Sequence, residues 1–130
     1  MAGPLSHIKV LDLSRILAGP WSTQMLGDMG AEVIKIEHPH SGDDTRSWGP
    51  PFQKNKDGSD GDATYFHSTN RNKISLFIDI STKAGQTEIY DLVKSADILV
   101  ENYKVGSLKK YGLDYQSLSI LNPEALLRMP

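Results

Sequence analysis

The chain has 130 residues, of which 38% are hydrophobic and 8% aromatic, as in one small globular domain. Its net charge of −2 leaves no extended basic surface, so nucleic acid is not an expected partner. The absence of cysteine excludes disulfides, thiolate metal sites and thiol catalysis, and it fits a reducing compartment, so we expect a cytoplasmic location. No apolar stretch reaches about 18 residues and the amino terminus lacks a signal pattern, so we expect neither membrane insertion nor secretion.

The first part of the chain predicts a strand, a helix and a second strand. Residues 8–13 are mostly apolar and β-branched, and Pro20 suits the first position of a helix. That helix is expected to end at Gly30. One apolar stripe should run along it, formed by Trp21, Met25 and Met29 with Leu26 beside them. Residues 32–37 predict the second strand, which completes a βαβ unit with a right-handed crossover.

Residues 38–64 have a different composition, rich in Gly, Pro, Asp, Ser and Lys. This composition predicts a long, partly mobile loop within the domain, and loops of such length are commonly functional or disordered. Residues 53–63 hold almost no apolar side chain that could offset the entropy of ordering them. We therefore predict that they form the most mobile interior segment.

The second half of the chain again alternates strand and helix patterns. Residues 74–80 and 97–101 predict strands, and Ser81 or Thr82 can cap the helix between them. Four apolar residues of that helix share one face: Ile89, Leu92, Val93 and Ala96. The alternation of strands and helices predicts an α/β domain with a Rossmann-like, mainly parallel sheet and helices on both faces.

Two shorter helices are expected near the end of the chain. Residues 105–111 read as a short helix that Gly112 ends, and Asp114 can cap a last helix that runs to Leu121. The pair Asn122-Pro123 follows that helix.

The loop of residues 14–20 lies where an open parallel sheet usually binds its ligand, beyond the carboxyl end of the first strand. Gly19 is its only glycine and Pro20 lacks an amide hydrogen, so the loop does not match the G-x-G-x-x-G dinucleotide pattern. A nicotinamide cofactor is therefore not supported. Taken alone, Gly19 and Pro20 favour a tight turn without a ligand.

Other kinds of site find less support in the sequence. A metal site built from four residues of the 38–64 segment has a poor ligand spacing, and we predict no metal: His38, His40, Asp43 and Asp44. No serine lies in a pattern typical of a nucleophile elbow, which argues against serine hydrolysis. Asp43 and Asp44 beside Arg46 are expected to form an exposed charge cluster that fixes the loop and contributes little energy.

Several segments in order resemble family III CoA-transferases, specifically the formyl-CoA transferase and carnitine-CoA transferase group. They are DLSRILAGP at 12–20, GAEVIKIE at 30–37, GDDTR with WGPPF within 42–52, NRNK at 70–73 and ADILVENY at 96–103. The resemblance covers residues 5–123. It implies an enzyme that moves CoA between carboxylic acids through an aspartyl anhydride and an enzyme-CoA thioester. The substrates would be an acyl-CoA and a carboxylic acid acceptor, with no tightly bound cofactor.

The resemblance also implies what this chain contributes. Residues 1–130 would be a truncated amino-terminal CoA-binding domain, incomplete relative to the full family fold, and the full-length parent would be an interlocked homodimer. The family's nucleophilic aspartate lies beyond the landmark Asn-Pro, after which this sequence departs from the expected hydrophobic strand, so no catalytic residue is assigned. The alternative is a non-catalytic fragment that binds CoA or dimerises.

By the same resemblance, seven residues are expected to bind the coenzyme: Leu17, Ala18, His38, Ile78, Asn102, Tyr103 and Lys110. Lys110 suits a phosphate, whereas His38 replaces a common arginine and offers fewer donors. Four of these residues also have a simpler interpretation. Leu17 and Ile78 could be core side chains and Tyr103 a buried aromatic residue, while Lys110 could be a solvated helix end.

Overall fold

The computed structural model describes residues 3–127. Parallel strands alternate with helices along most of this part of the chain, as the sequence predicts. The strands are β1 (Lys9–Asp12), β2 (Glu32–Glu37), β3 (Phe52–Lys54), β4 (Asp60–Ala63), β5 (Ile74–Phe77), β6 (Ile98–Val100) and β7 (Leu126–Leu127). The helices are α1 (Ala18–Asp28), α2 (Thr64–Thr69), α3 (Lys83–Ser95) and α4 (Tyr115–Leu121), with 3-10 turns at Asp44–Ser47 and Lys109–Tyr111.

Five strands form one parallel sheet in the order β5-β2-β1-β6-β7. Strands β3 and β4 form a separate antiparallel pair. In β1, Leu11 belongs to a core cluster with Ile89 and Val93 of α3, whereas the neighbouring Val10 packs with Leu26 of α1. Adjacent strand residues face opposite sides of a sheet, so helices cover both faces and the α/β prediction is confirmed.

Helix α3 begins as its sequence predicts. The Thr82 side-chain oxygen accepts a hydrogen bond from the Gly85 amide at 3.0 Å, which satisfies one of the free amides of the first turn. The predicted helix over 105–111 is wrong for most of its length, because only Lys109–Tyr111 forms a 3-10 turn. Gly112 ends that turn with φ of 68°, a left-handed conformation that glycine adopts readily.

The apolar stripe of α1 lies on the solvent side of the helix. Trp21 and Met25 are 55% and 54% exposed, while the buried positions include Thr23 and Gln24. Gln24 donates to the Ser68 carbonyl and accepts from the Arg71 amide, so polar partners from later segments occupy the inner face. The four-residue spacing thus identified the stripe but not the direction in which it faces.

The segment 38–64 contains more structure than its composition predicts. It includes the Asp44–Ser47 turn and the β3–β4 pair, which a charged contact joins to the main sheet. The Arg46 guanidinium donates to both carboxylate oxygens of Glu37 in β2, at 2.8 and 2.6 Å, and to Asp62 in β4 at 2.6 Å. The expectation of a weak, exposed charge cluster is therefore wrong: Asp43 is buried, and Arg46 binds Glu37 and Asp62.

A strand also follows Asn122-Pro123, contrary to the departure inferred from the sequence. The backbone at Leu126–Leu127 pairs in parallel with Ile98 and Leu99 of β6. The side-chain amide of Asn122 donates to the carbonyls of Val93 and Ala96, at 2.8 and 2.9 Å, so the chain turns from α4 towards the sheet at this residue.

Within residues 3–127, no helix combines the length and the apolar character that crossing a membrane requires.

Candidate functional site

A cavity of about 400 Å³ opens at the carboxyl ends of the parallel strands. Its wall includes Arg15 after β1, His38 after β2, residues 78–81 after β5 and Tyr103 after β6. Ligands of open α/β sheets bind at this edge, because the loops after neighbouring strands meet there. The location therefore agrees with the edge that the sequence predicts.

Three of the seven predicted coenzyme-binding residues line this cavity, namely His38, Ile78 and Tyr103. Ile78 is only 6% exposed and also belongs to the core cluster beside α3, so its simpler interpretation as a core residue holds together with its place in the wall. Tyr103 is partly buried, and burial raises the pKa of its hydroxyl against the opposing effect of Arg15. The wall thus combines apolar side chains with polar and charged ones.

Asn102 does not line the cavity, and its side-chain amide binds the loop after β1. Its side-chain oxygen accepts from the Arg15 amide at 2.9 Å, and its nitrogen donates to the Arg15 carbonyl at 2.7 Å. Two bonds to the same residue fix the backbone there. Asn102 therefore contacts the backbone of Arg15 and positions this residue of the cavity wall.

Leu17 and Ala18 lie at the amino terminus of α1 and line none of the described cavities. Leu17 is 41% exposed, so its interpretation as a core side chain is wrong. The adjacent Gly19 is buried so tightly that an added Cβ would stand 2.2 Å from the Ser14 Cβ. The start of the helix therefore requires glycine, for reasons of packing against the loop.

Lys110 is exposed on the Lys109–Tyr111 turn, and its ammonium lies 4.9 Å from the centre of the Tyr111 ring. Tyr111 lines the cavity and Lys110 does not. Lys110 thus contacts a residue of the cavity wall but does not line the cavity itself. Its predicted contact with a phosphate remains a prediction.

Sequence reasoning missed Arg15, which lies in the wall with its guanidinium carbon 4.3 Å from the centre of the Tyr103 ring. The available signal was position alone: Arg15 is the charged residue of the loop that follows β1, at the edge where ligands bind. Tyr111 was missed as well, because it comes from a turn that packs beside the sheet only in the folded chain.

A network of buried charged and polar side chains binds the loop of residues 14–20. Asp12 accepts from the Ser14 amide at 2.9 Å, from the Thr23 hydroxyl at 2.5 Å and from the Lys73 ammonium at 3.1 Å. The Lys73 ammonium also donates to the Pro20 carbonyl at 2.8 Å. Burial lowers the pKa of Lys73 from 10.5 to about 8, although the charge of Asp12 acts against this shift.

A second buried ion pair supports the same loop. The Lys35 ammonium donates to Asp43 at 2.9 Å and to the Ser14 carbonyl at 3.0 Å. Asp43 also accepts from the amide of Ile16 at 3.2 Å. Burial alone would raise the pKa of the Asp43 carboxyl, but Lys35 and the hydrogen bonds from Thr45 lower it below its ordinary value.

Ile16 has an unusual backbone conformation, with φ of 73°. A β-branched residue rarely adopts positive φ, and such residues persist only where surrounding contacts enforce them, commonly beside ligand sites. Here the contacts are known, since Asp43 binds the Ile16 amide and Asn102 holds the preceding residue on both sides. The loop is therefore held in one conformation by the rest of the domain.

A second cavity of about 290 Å³ lies beside the first, and Tyr103 belongs to the walls of both. Its other lining residues come from the segment after β6 and the start of α4, and they include Lys104 and Lys109. The two cavities together form a recess along the carboxyl edge of the sheet, with one tyrosine ring between them.

Comparison with known proteins identifies the family of this chain. The family model of CoA-transferase family III matches residues 5–127. The chain belongs to CoA-transferase family III. A succinate–glutarate CoA-transferase from Agrobacterium fabrum is 54% identical over 123 residues, which are 95% of this chain and 31% of that protein. The human succinyl-CoA:glutarate CoA-transferase is 46% identical over 95% of this chain and 27% of its own length.

A solved structure shows the same fold in a member of this family. The crystal structure of a CAIB/BAIF family protein from Brucella suis superposes with a TM-score of 0.91 at 50% identity, covering 98% of this chain and 33% of that one. The chain thus spans about a third of the length of these family III relatives. The two transferases above are named for succinate and glutarate, so the motifs identify the family but not the formyl-CoA or carnitine-CoA group expected from them.

Proposed function

We propose that this chain provides the coenzyme-binding part of a family III CoA-transferase. The observation that carries the proposal is the cavity at the carboxyl edge of the sheet, whose wall includes His38, Ile78 and Tyr103. These three residues are among those that the family resemblance predicts to bind the coenzyme. The lining of the cavity combines apolar side chains with hydrogen-bond donors, as binding an adenine and its attached phosphates requires.

The whole enzyme would move CoA from one carboxylic acid to another. The names of the similar transferases favour dicarboxylic acids such as succinate and glutarate as the acyl groups. By the family mechanism, an enzyme aspartate attacks the thioester carbonyl and releases the CoA thiolate, leaving a mixed anhydride. The thiolate then attacks the aspartyl carbonyl, which releases the acid and leaves an enzyme-CoA thioester.

The buried carboxylates described above are poor candidates for that nucleophile. Asp12 is bound by Lys73, Glu37 by Arg46 and Asp43 by Lys35, and each also accepts hydrogen bonds from other groups. A nucleophilic carboxylate needs a free oxygen that faces the thioester. We therefore expect the nucleophile to come from the part of the family that this chain does not span.

The proposed partners follow from the same assignment. An acyl-CoA and a carboxylic acid acceptor would be the substrates, with no tightly bound cofactor. A second copy of the full-length protein would complete an interlocked homodimer, and we expect a cytoplasmic location. The alternative function is that of a fragment that binds CoA or dimerises without turnover.

Titration calorimetry with CoA tests the binding proposal. If Lys110 meets a phosphate, Lys110→Ala should weaken binding on the order of tenfold, about 1.4 kcal/mol. Lys94→Ala is the matched control, because Lys94 is exposed on α3 and pairs with Asp91 away from the cavity. Undetectable CoA binding by the unaltered protein would refute the proposed function, and equal affinity of the Lys110→Ala variant would remove Lys110 from the site.

Mass spectrometry after incubation with succinyl-CoA tests whether this chain supplies the nucleophile. We expect the 130-residue chain to show no covalent enzyme-CoA thioester, because its described buried carboxylates are all engaged with cations. Detection of the adduct would contradict this expectation, and the modified residue would identify the nucleophile.

A further inference from the structure

Arg15 differs from the other arginines that the structure describes. Arg46 binds Glu37 and Asp62, and Arg71 binds Asp28 through both of its carboxylate oxygens. Within residues 3–127, no carboxylate lies within ion-pairing distance of the Arg15 guanidinium, although the residue is exposed in the cavity wall. Arg15 therefore presents a positive charge to the cavity that no neighbouring carboxylate neutralises.

The contact with Tyr103 leaves the hydrogen-bonding edge of this guanidinium available. The Arg15 guanidinium carbon lies 4.3 Å from the centre of the Tyr103 ring, a distance typical of a cation held over an aromatic face. Within residues 3–127, no group accepts a hydrogen bond from the Arg15 guanidinium, whose N–H groups match the two oxygens of a phosphate or carboxylate.

The backbone that carries Arg15 is also fixed in advance. Asn102 binds both its amide and its carbonyl, Asp43 holds the Ile16 amide, and Ile16 remains in the left-handed region. A side chain on an ordered loop loses less conformational entropy when it binds a ligand than one on a mobile loop. These restraints therefore position one arginine at the rim of the cavity at a low entropic cost.

The cavity wall contains four carboxylates, of which two are paired with cations. The buried carboxylates Glu37 and Asp43 are each paired with a cation. Asp79 accepts from the amide and hydroxyl of Ser81. Asp44 is exposed. Arg15 is the one arginine or lysine among the described residues that line this cavity, and it is available to bind an oxyanion.

We propose that Arg15 is the anion-binding residue of this cavity and that Asn102 acts as a positioning residue for it. The ligand group is an oxyanion of the acyl-CoA, either a phosphate of the coenzyme or the distal carboxylate of a dicarboxylic acyl group. The identification of the ligand rests on the proposed function, whereas the anion site itself rests on the contacts of Arg15.

The test measures binding of four probes to the whole chain by titration calorimetry: CoA, 3′-dephospho-CoA, inorganic pyrophosphate and glutarate. Arg15→Gln should weaken binding of the recognised anion by about tenfold or more, since a hydrogen bond to a charged group is lost. Arg71→Gln is the matched control, because it removes the same charge at the far end of α1, where Arg71 contacts Asp28. The probe that loses affinity identifies the anion as the 3′-phosphate, the diphosphate or the carboxylate.

Ionic strength separates a charge effect from a structural one. Affinity of the unaltered protein for the recognised anion should fall as sodium chloride increases, and it should fall less steeply for Arg15→Gln. Asn102→Ala should also weaken binding, and the double variant should be no weaker than Arg15→Gln, because both substitutions act through one guanidinium. If Asn102→Ala does not fold by circular dichroism, the Arg15→Gln result alone decides.

Affinities of Arg15→Gln equal to those of Arg71→Gln for every probe, or an unchanged salt dependence, would overturn the inference. Such a result together with retained CoA binding leaves the proposed function intact. Pyrophosphate binding that depends on Arg15 without any CoA binding would have the opposite meaning: the anion site would stand and the proposed function would fail.

Discussion

The ion pair between Lys35 and Asp43 offers the sharpest test of how the loop of residues 14–20 is held. The two groups lie 2.9 Å apart and are 1% and 0% exposed. The Lys94–Asp91 pair has a similar distance of 3.1 Å but is 58% and 69% exposed. The two pairs differ in burial and in their other partners, because Lys35 also donates to Ser14 and Asp43 also accepts from Thr45. The Lys94–Asp91 pair therefore serves as the reference for an exposed ion pair.

Lys35→Met and Asp43→Asn should each lower the free energy of unfolding by about 3–5 kcal/mol, because each leaves a buried charge without its partner. Asp91→Asn, the exposed control, should change it by less than about 1 kcal/mol. The double variant Lys35→Met/Asp43→Asn leaves no buried charge at this place. It should therefore lose less stability than the sum of the two single losses.

Urea unfolding followed by far-ultraviolet circular dichroism measures all four variants, with the slope of each transition as a check on two-state behaviour. Losses below about 1 kcal/mol for the single variants would refute the reasoning, since they are the range of exposed pairs. Strict additivity in the double variant would refute it too, because the two groups would then not depend on each other.

Two further predictions concern Lys73 and the β3–β4 pair. The pKa of Lys73 is lowered to about 8, so the unfolded state binds more protons than the folded state between pH 8 and 10.5. The contribution of Lys73 to the free energy of unfolding should therefore rise with pH across that window. Carbon NMR of labelled lysine ε-carbons should find its midpoint near 8, and a midpoint of 10.5 would contradict the burial argument. In hydrogen exchange, residues 53–63 should exchange fastest among interior amides, because residues 53–60 are all exposed. Protection equal to that of residues 33–36 would show that prediction to be wrong.

The sequence predicted the sheet better than the elements around it. Residues 32–37 were predicted as a strand with the bounds that the structure shows, because a short β-branched run between turn residues leaves few alternatives. The β3–β4 pair was missed because its residues are mostly polar and do not alternate. The direction of the α1 stripe was missed because Gln24 faces inward to partners 44 and 47 residues away.

The residues of the candidate site were likewise predicted only in part. His38 comes directly after the predicted strand 32–37, so that strand end is enough to place it at this edge. Ile78 lies inside the strand predicted over 74–80 and reaches the edge only because β5 ends at Phe77. Asn102 also follows a strand, yet it turns to the neighbouring loop because Arg15 offers both a donor and an acceptor. Position along a strand therefore predicts which edge a residue occupies, whereas the choice between ligand and backbone depends on a loop far away in sequence.

The restraints on the loop of residues 14–20 have a consequence for how the chain folds. Asp43 lies 27 residues from Ile16, Lys73 lies 53 residues from Pro20, and Asn102 lies 87 residues from Arg15. Contacts between such distant residues close long chain loops and form slowly. Strand β1 and helix α1 can thus form early. The loop between them becomes ordered only after segments much later in the sequence have been synthesised and have folded. Recovery of anion binding during refolding should lag behind recovery of helix content, because it depends on the most distant of these contacts.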